Sequence, residues 1–279
     1  MLSLIPYSTA AELKVRGVGH LKMFLNPRDV ALTPIIMFRG QWEPTETSLF
    51  VRSVKKGDTV VDVGANVGYY TLIAAKIVGD EGRVYAFEPD PESFALLEAN
   101  VRLNGLTNVV LEQKALSNEP GRLKLFLGEK NRGDHRIYQP REGPKRDFVE
   151  VEAVTLDDYF NGYDGDIDFI KIDTQGAEGV IFEGLTGIAK KNKGLRFVIE
   201  WWPYGMDSMG YESGRLVSLI TSLGFHFYDA GWTDAVQPLT RLEPDEVRRR
   251  FTVKNHKTTN MLLTRTNGPD VIRRADPIP

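Results

Sequence analysis

The stretch Val60-Val61-Asp62-Val63-Gly64-Ala65-Asn66-Val67-Gly68 joins a short apolar run to one carboxylate and two glycines. A buried strand that ends in a glycine turn and runs into a helical pattern is where an open α/β sheet binds nucleotide-like ligands. Gly64 and Gly68 permit a tight turn and a close backbone approach to a ligand. Asn66 tolerates the left-handed region better than most residues. Glu88, in Phe87-Glu88-Pro89-Asp90 at the end of the next strand, can accept both hydroxyls of a ribose. The dinucleotide fingerprint G-x-G-x-x-G is not met, because the spacing is Gly64-x-x-x-Gly68. Asp62, ahead of the turn, would repel a pyrophosphate but suits the cationic end of S-adenosylmethionine. Together these residues favour a methyl donor over NAD.

A second constellation, Lys171-Ile172-Asp173-Thr174-Gln175-Gly176-Ala177-Glu178, closes a later strand and opens a helix. In a doubly wound sheet that strand lies beside the first across the switch point, so Asp173 is expected close to the donor. Methyl transfer to a hydroxyl needs near-attack positioning and a group that takes the proton. Asp173 is read as that base or as a holder of the donor's amino group. Lys171 is read as buried and paired with Asp173 or Glu178. An ion pair and cap at a helix start is the plainer reading of these three residues. His135, in a polar segment at 128–147 that can act as a lid, is the histidine candidate for a base. Glu200 ends the following strand and is expected near Asp173. With His226 or His256 these carboxylates would suit magnesium or another divalent ion. Neither histidine has diagnostic spacing, so no metal ligand is assigned and a divalent metal is not favoured.

The acceptor is less legible. The motif D/N-P-P-Y/F, which binds a planar amino group for N-methylation in related folds, is replaced by Asp-Thr-Gln-Gly, which favours oxygen. Trp201-Trp202-Pro203-Tyr204 can stack on a ring or simply close the sheet edge. Segment 128–147 holds six Lys/Arg against four acids, which fits a mixed solvated loop better than an anion site.

The elements that must position these residues follow from periodicity. Apolar runs at DTVVDVG, RVYAFEPD, NVVLEQKAL, DIDFIKID and LRFVIEWW alternate with helical patterns such as PESFALLEANVRLNG and AEGVIFEGLTGIAKK. GRLKLFL and FVEVEAV read as strands flanking the polar segment, and FHFYDA and TTNMLLTRT as the last two strands. Strand–helix alternation signals a parallel sheet built from βαβ units. Residues 1–50 read as short helices and turns forming an N-terminal cap, residues 51–266 as one α/β domain, and residues 267–279 as a disordered tail.

The segments DVGANVGYYT, AFEPDP, LEANVRLNG, KALSNEPG, VTLDDYF and DFIKIDTQGAEGVIFEGL resemble the successive motifs of the FkbM family of S-adenosylmethionine-dependent methyltransferases. The resemblance runs from about residue 57 to about residue 200. It implies a class I methyltransferase (Rossmann-like) fold: a seven-stranded doubly wound sheet, mostly parallel, with the last strand antiparallel. It also implies O-methylation of a small molecule, a sugar or glycan or a polyketide-type product. Carried over residue by residue, it puts Asp62, Gly64, Asn66 and Gly68 in the loop near the donor and Glu88 at the ribose. Ala115 would hold the adenine side through its backbone, and Glu43, in RGQWEPTE, matches an acid found ahead of the first strand.

Composition bounds the remaining classes. Apolar residues make up 42% and charged residues 26% of the 279-residue chain, near the globular average. Zero cysteines remove thiol nucleophiles, disulfides and thiolate metal sites, and leave four histidines. A net charge of −3 argues against a protein that coats nucleic acid. No apolar run is long enough to span a membrane, and the N-terminus lacks the pattern of a secretory signal, so a cytoplasmic location is expected. The expected partner is a small-molecule hydroxyl acceptor, with no nucleic acid, and a homodimer is allowed. An RNA or protein methyltransferase and a non-catalytic nucleoside-binding module are the alternatives.

Overall fold

Along each central strand, alternate side chains enter opposite cores. Val60, Phe169, Val198 and Leu262 belong to one apolar cluster, while Val61, Ile170, Phe197 and Leu263 belong to the other. Strands buried on both faces in this way need helices on both sides. A computed structural model of the chain describes residues 9–231 and 238–268. Most of the segment expected to form a disordered tail lies outside the described residues.

The chain opens with the hairpin β1 (Thr9–Leu13) and β2 (Leu21–Leu25), followed by helices α1 (Leu32–Arg39) and α2 (Pro44–Ser53). The sheet then begins with β3 (Thr59–Val63), α3 (Tyr69–Val78), β4 (Arg83–Phe87), α4 (Pro91–Leu103) and β5 (Val109–Glu112). Next come β6 (Ala115–Leu116), β7 (Gly121–Phe126), β8 (Phe148–Val154) and the short α5 (Leu156–Tyr159). The parallel rhythm returns with β9 (Phe169–Ile172), α6 (Glu178–Glu183), α7 (Thr186–Lys191) and β10 (Arg196–Trp201). The C-terminal part holds α8 (Pro203–Met209), α9 (Ser213–Ser222), β11 (His226–Gly231), β12 (Thr240–Leu242), α10 (Pro244–Arg250) and β13 (Thr259–Thr264).

The main sheet has the order β12-β11-β13-β10-β9-β3-β4-β5. Strands β3, β4, β5, β9 and β10 are parallel, and β13 runs antiparallel between β10 and β11. This is the doubly wound class I arrangement with its last strand reversed. It carries one more strand than the seven expected: β12, three residues long, extends the edge antiparallel to β11. The switch point lies between β3 and β9, where the chain leaves one half of the sheet for the other.

Three local readings are corrected. The N-terminal segment contains a β-hairpin as well as helices, since β2 alternates buried and less buried positions against α4. The run NVVLEQKAL divides into β5, which stays in the main sheet, and β6, which joins β8 and β7 in a separate three-stranded sheet. The helical pattern after Ala177 divides into α6 and α7. At the start of α4, Asp90 accepts the Ser93 amide and Pro91 opens the first turn, as the sequence pattern demands.

Candidate active site

A cavity of about 350 Å³ sits over the carboxyl ends of β3, β4, β9 and β10. Its floor is the loop Val63–Val67, one wall is Trp42, Glu43 and Glu46 from the cap, and residues 131–137 cover it. The left-handed backbone expected at Asn66 is present, with φ 50°. Both glycines turn the chain at positive φ, and Gly64 lines the cavity. A Cβ on Gly64, at φ 80°, would meet the Asp173 carbonyl at 2.1 Å, and one on Gly68, at φ 96°, would meet the Leu97 side chain at 2.7 Å. They also bring the loop against the end of β9 and against α4.

Glu88 clamps this loop to the end of β4. Its Oε2 accepts the Asn66 amide and its Oε1 the Asp90 amide, each at 2.8 Å. Burial pushes its carboxyl up to about 8, against the pull of both amides. Each oxygen keeps a second lone pair for a ligand hydroxyl. Ala115 lines the same end of the cavity between Lys114 and Leu116. Asp62 is 1% exposed, behind the loop wall, where its Oδ2 accepts the Thr71 hydroxyl at 2.6 Å. It therefore meets Lys171, its register partner on β9, rather than facing the cavity directly.

At the opposite end stands Lys171, fully buried inside an apolar strand. Its Nζ lies 3.1 Å from Asp173 Oδ2 and 3.3 Å from Glu46 Oε1, and 4.3 Å from the centre of the Tyr70 ring. Burial alone would lower its affinity for a proton, but Asp173, Glu46 and Asp62 outweigh it and hold the ammonium above the usual lysine range. Of the two partners expected from sequence, Asp173 is the one that pairs. Glu178 turns away and accepts the Thr174 amide, the Thr174 hydroxyl and the Gly176 amide, capping the start of the α6 segment. Glu46 is the partner that sequence reasoning missed. A lysine inside a strand of this apolarity demands buried carboxylates, and that demand was the available signal.

Glu43 lines the same end, from a left-handed backbone at φ 38°. Burial, then the neighbouring Glu46, pushes its carboxyl up to about 11. Glu200 is 8% exposed, and burial together with Asp173 holds it well above the carboxylate range. The Gln175 side-chain amide donates to Asp173 Oδ1 at 3.1 Å and to Glu200 Oε2 at 3.0 Å, joining the two acids. Beyond this junction opens a shallower chamber of about 520 Å³, lined by Asp134, Arg136, Trp202 and His256 and sharing Asn131, Gln175 and Glu200 with the first.

Of the histidines, His135 lines the first cavity and His256 the second chamber. His135 Nδ1 accepts the Gly128 amide at 2.9 Å, and its Nε2 points to Asp90 Oδ2 at 3.6 Å, so it fastens the covering segment to the N-terminus of α4. Burial would raise the Asp90 carboxyl, but His135 and the Ser93 amide bring it down to about 2. His226 contacts Arg241 toward the sheet edge, and His256 stacks on Tyr204 with centroids 4.5 Å apart. Among the described residues, no group of three or more His, Asp or Glu side chains is placed to hold a metal ion.

The comparisons with known proteins bear on this geometry. The pattern of the methyltransferase FkbM domain matches residues 62–227, more than half of the chain. The chain belongs to the FkbM methyltransferase family. A ribosomal protein L11 methyltransferase of Bacillus cytotoxicus is 37% identical over 84 residues, covering 29% of this chain and 26% of that protein. Methyltransferase 1 of Beauveria bassiana is 24% identical over 144 residues, covering 45% of this chain and 57% of that one. The matches thus span between about a quarter and just over half of these relatives' lengths. Among solved structures, an rRNA methylase of Clostridium thermocellum, described as putative in its name, aligns at 12% identity with a TM-score of 0.48, over 80% of this chain and 96% of that one.

This FkbM domain is an S-adenosylmethionine-dependent methyltransferase domain, and the donor's chemistry fits the cavity. The free lone pairs of Glu88 suit a ribose diol. At the other end, the buried polar atoms Glu43 Oε2 and Tyr70 Oη have no hydrogen-bond partner among the described residues, where the donor's ammonium and sulfonium need negative surroundings. No described helix is long and apolar enough to cross a membrane.

Proposed function

We propose that this FkbM protein transfers a methyl group from S-adenosylmethionine to a hydroxyl of a small molecule, a sugar or glycan or a polyketide-type product. The observation that carries the reading is the junction of Asp173, Gln175 and Glu200, where the donor cavity meets a second chamber. S-adenosylmethionine, when bound, supplies an electrophilic methyl group and a neutral thioether leaving group. Glu88 would hold the ribose hydroxyls, the backbone at Ala115 the adenine, and Asn66 the loop that passes between them. Lys171 and Gln175 fix Asp173 from two sides. The acceptor's oxygen would form the bond to carbon as the carbon–sulfur bond breaks, and the hydroxyl proton would pass to Asp173. His135 serves in this reading as a fastener of the cover, since its Nδ1 accepts the Gly128 amide and its Nε2 lies 3.6 Å from Asp90 Oδ2.

Calorimetric titration tests the donor assignment: S-adenosylhomocysteine should bind, and Glu88→Ala should weaken it by about 30-fold, the effect of losing a pair of hydrogen bonds. Tighter binding of NAD would overturn the donor. Transfer of a labelled methyl group to hydroxylated small molecules, but not to bulk RNA or protein, is the expected acceptor result. Transfer to RNA or protein alone would overturn the acceptor class, and donor binding without turnover on any acceptor would favour a non-catalytic module.

A further inference from the structure

The far end of the donor cavity is unusual in its charge. Glu43 and Glu46 reach it from the cap, Asp173 from the end of β9 and Glu200 from the end of β10, while Asp62 on β3 adds its field from behind the loop wall. Lys171 is the cation that they share. The other cations at the cavity wall are committed near Glu88: Lys114 pairs with Glu112 and Glu152, and Arg132 with Asp90 and Glu92. Two further features show that the cluster is not satisfied within the protein. Tyr70, 6% exposed and lining the cavity, has a hydroxyl without a hydrogen-bond partner among the described residues, and Glu43 Oε2 is likewise unpaired. Glu43 enters the cluster from a left-handed backbone, a conformation costly for a non-glycine residue and concentrated at functional sites.

We infer that this acid-rich end selects the sulfonium form of the methyl donor over its neutral thioether product, with Glu43, Glu46, Asp173 and Glu200 as the selecting groups. The inference rests on the reading of S-adenosylmethionine as donor. With Glu88 holding the ribose, the sulfur and the amino-acid portion extend toward Lys171 and its carboxylates. The ammonium of that portion is common to donor and product, so one positive charge at sulfur is the difference between them. Carboxyls crowded around a single lysine in a buried cavity hold protons to limit their repulsion. A cation arriving among them favours their ionised forms and displaces a proton. The thioether offers no such compensation, so methyl transfer itself weakens the hold on the product.

The test uses the full chain at pH 7 and calorimetric titration with three probes. These are S-adenosylmethionine, S-adenosylhomocysteine and sinefungin, which carries an ammonium in place of the methylsulfonium. Both cations are expected to bind about tenfold or more tightly than the thioether, because one charge is felt strongly in such surroundings. Comparing buffers of different ionisation enthalpy should show more proton release with the cations than with the thioether. Glu43→Gln and Glu200→Gln should each shrink the preference about threefold or more, because any change in the hold on the common ammonium moves donor and product alike and leaves the ratio to report the sulfur. Thioether binding as tight as that of both cations overturns the selection. A preference that survives unchanged in both variants overturns the assignment of these carboxyls. Failure of all three probes to bind the unmodified protein overturns the donor reading and the inference with it.

Discussion

Lys171 shows how one residue ties the core to the chemistry. Its stem crosses an apolar sheet while its ammonium serves two carboxylates that come from the cap and from the end of its own strand. Such a buried arrangement contributes less to stability than its contacts suggest, because all three charges lose water. Breaking it is another matter. Lys171→Met should leave Glu46 and Asp173 without their counter-charge and destabilise the fold by about 3–5 kcal/mol, read by urea unfolding. The double variant Lys171→Met with Glu46→Gln should recover part of that loss, since one of the stranded charges is gone. A single variant as stable as the unmodified chain would show that Lys171 is not the counter-charge of this cluster. The sequence made Lys171 and Asp173 visible because they are neighbours at a strand end. Glu46 was hidden, because its pairing is created by packing of α2 against the sheet and by nothing local.

At the scale of elements, two asparagines join the cap to α4, and one of them reaches on to the glycine loop. Asn100 on α4 and Asn104, which caps that helix, lie one helical turn apart, and their side-chain amides bind the backbone of Phe24 and Lys22, two residues apart on β2. The match is geometric: four residues of helix advance about 6 Å, close to the roughly 6.7 Å spanned by two residues of strand. The helix thereby supplies the free edge of the hairpin with partners, which also protects that edge from pairing with other chains. Asn100 reaches one step further and donates to the Val67 carbonyl at 2.8 Å, inside the glycine loop. Asn100→Ala should leave the Phe24 amide and the Val67 carbonyl without partners, at a cost of about 2–4 kcal/mol in denaturant unfolding. Hydrogen exchange should then speed up in the hairpin and in the loop together. Faster exchange in the hairpin alone would separate cap from loop. The elements themselves were legible wherever a strand is apolar on both faces, as at Val60–Val63 or Phe169–Ile172. The hairpin was not, because its strands are short, alternate weakly and depend on amides from a helix far along the chain. β12 was missed for a related reason: three residues at an edge carry no period to read.

For the molecule as a whole, the buried acids set the pH response. Burial raises Glu43 to about 11, Glu88 to about 8 and Glu178 to about 7, and holds Asp62 and Glu200 above their usual range. In the unfolded chain these carboxyls titrate near 4. Between that value and about 8, the folded state therefore binds more protons than the unfolded state, and stability falls as pH rises. Asp90 acts in the opposite sense, because its carboxyl is brought down to about 2. Its contribution is complete above the ordinary aspartate value and is lost only in strong acid, outside this window. Lys171, held above the usual lysine range, also keeps its contribution throughout. The ligand-free protein should therefore melt about 5–10 °C lower at pH 8.5 than at pH 5.5 by differential scanning calorimetry. Glu88→Gln should remove part of this slope, because the amide has no proton to lose. Saturating S-adenosylmethionine should flatten it further, since a cation among the carboxyls favours their ionised forms. A melting temperature that rises across this window would mean that the carboxyls are ionised in the folded protein at neutral pH, and would place their compensation in groups other than Lys171.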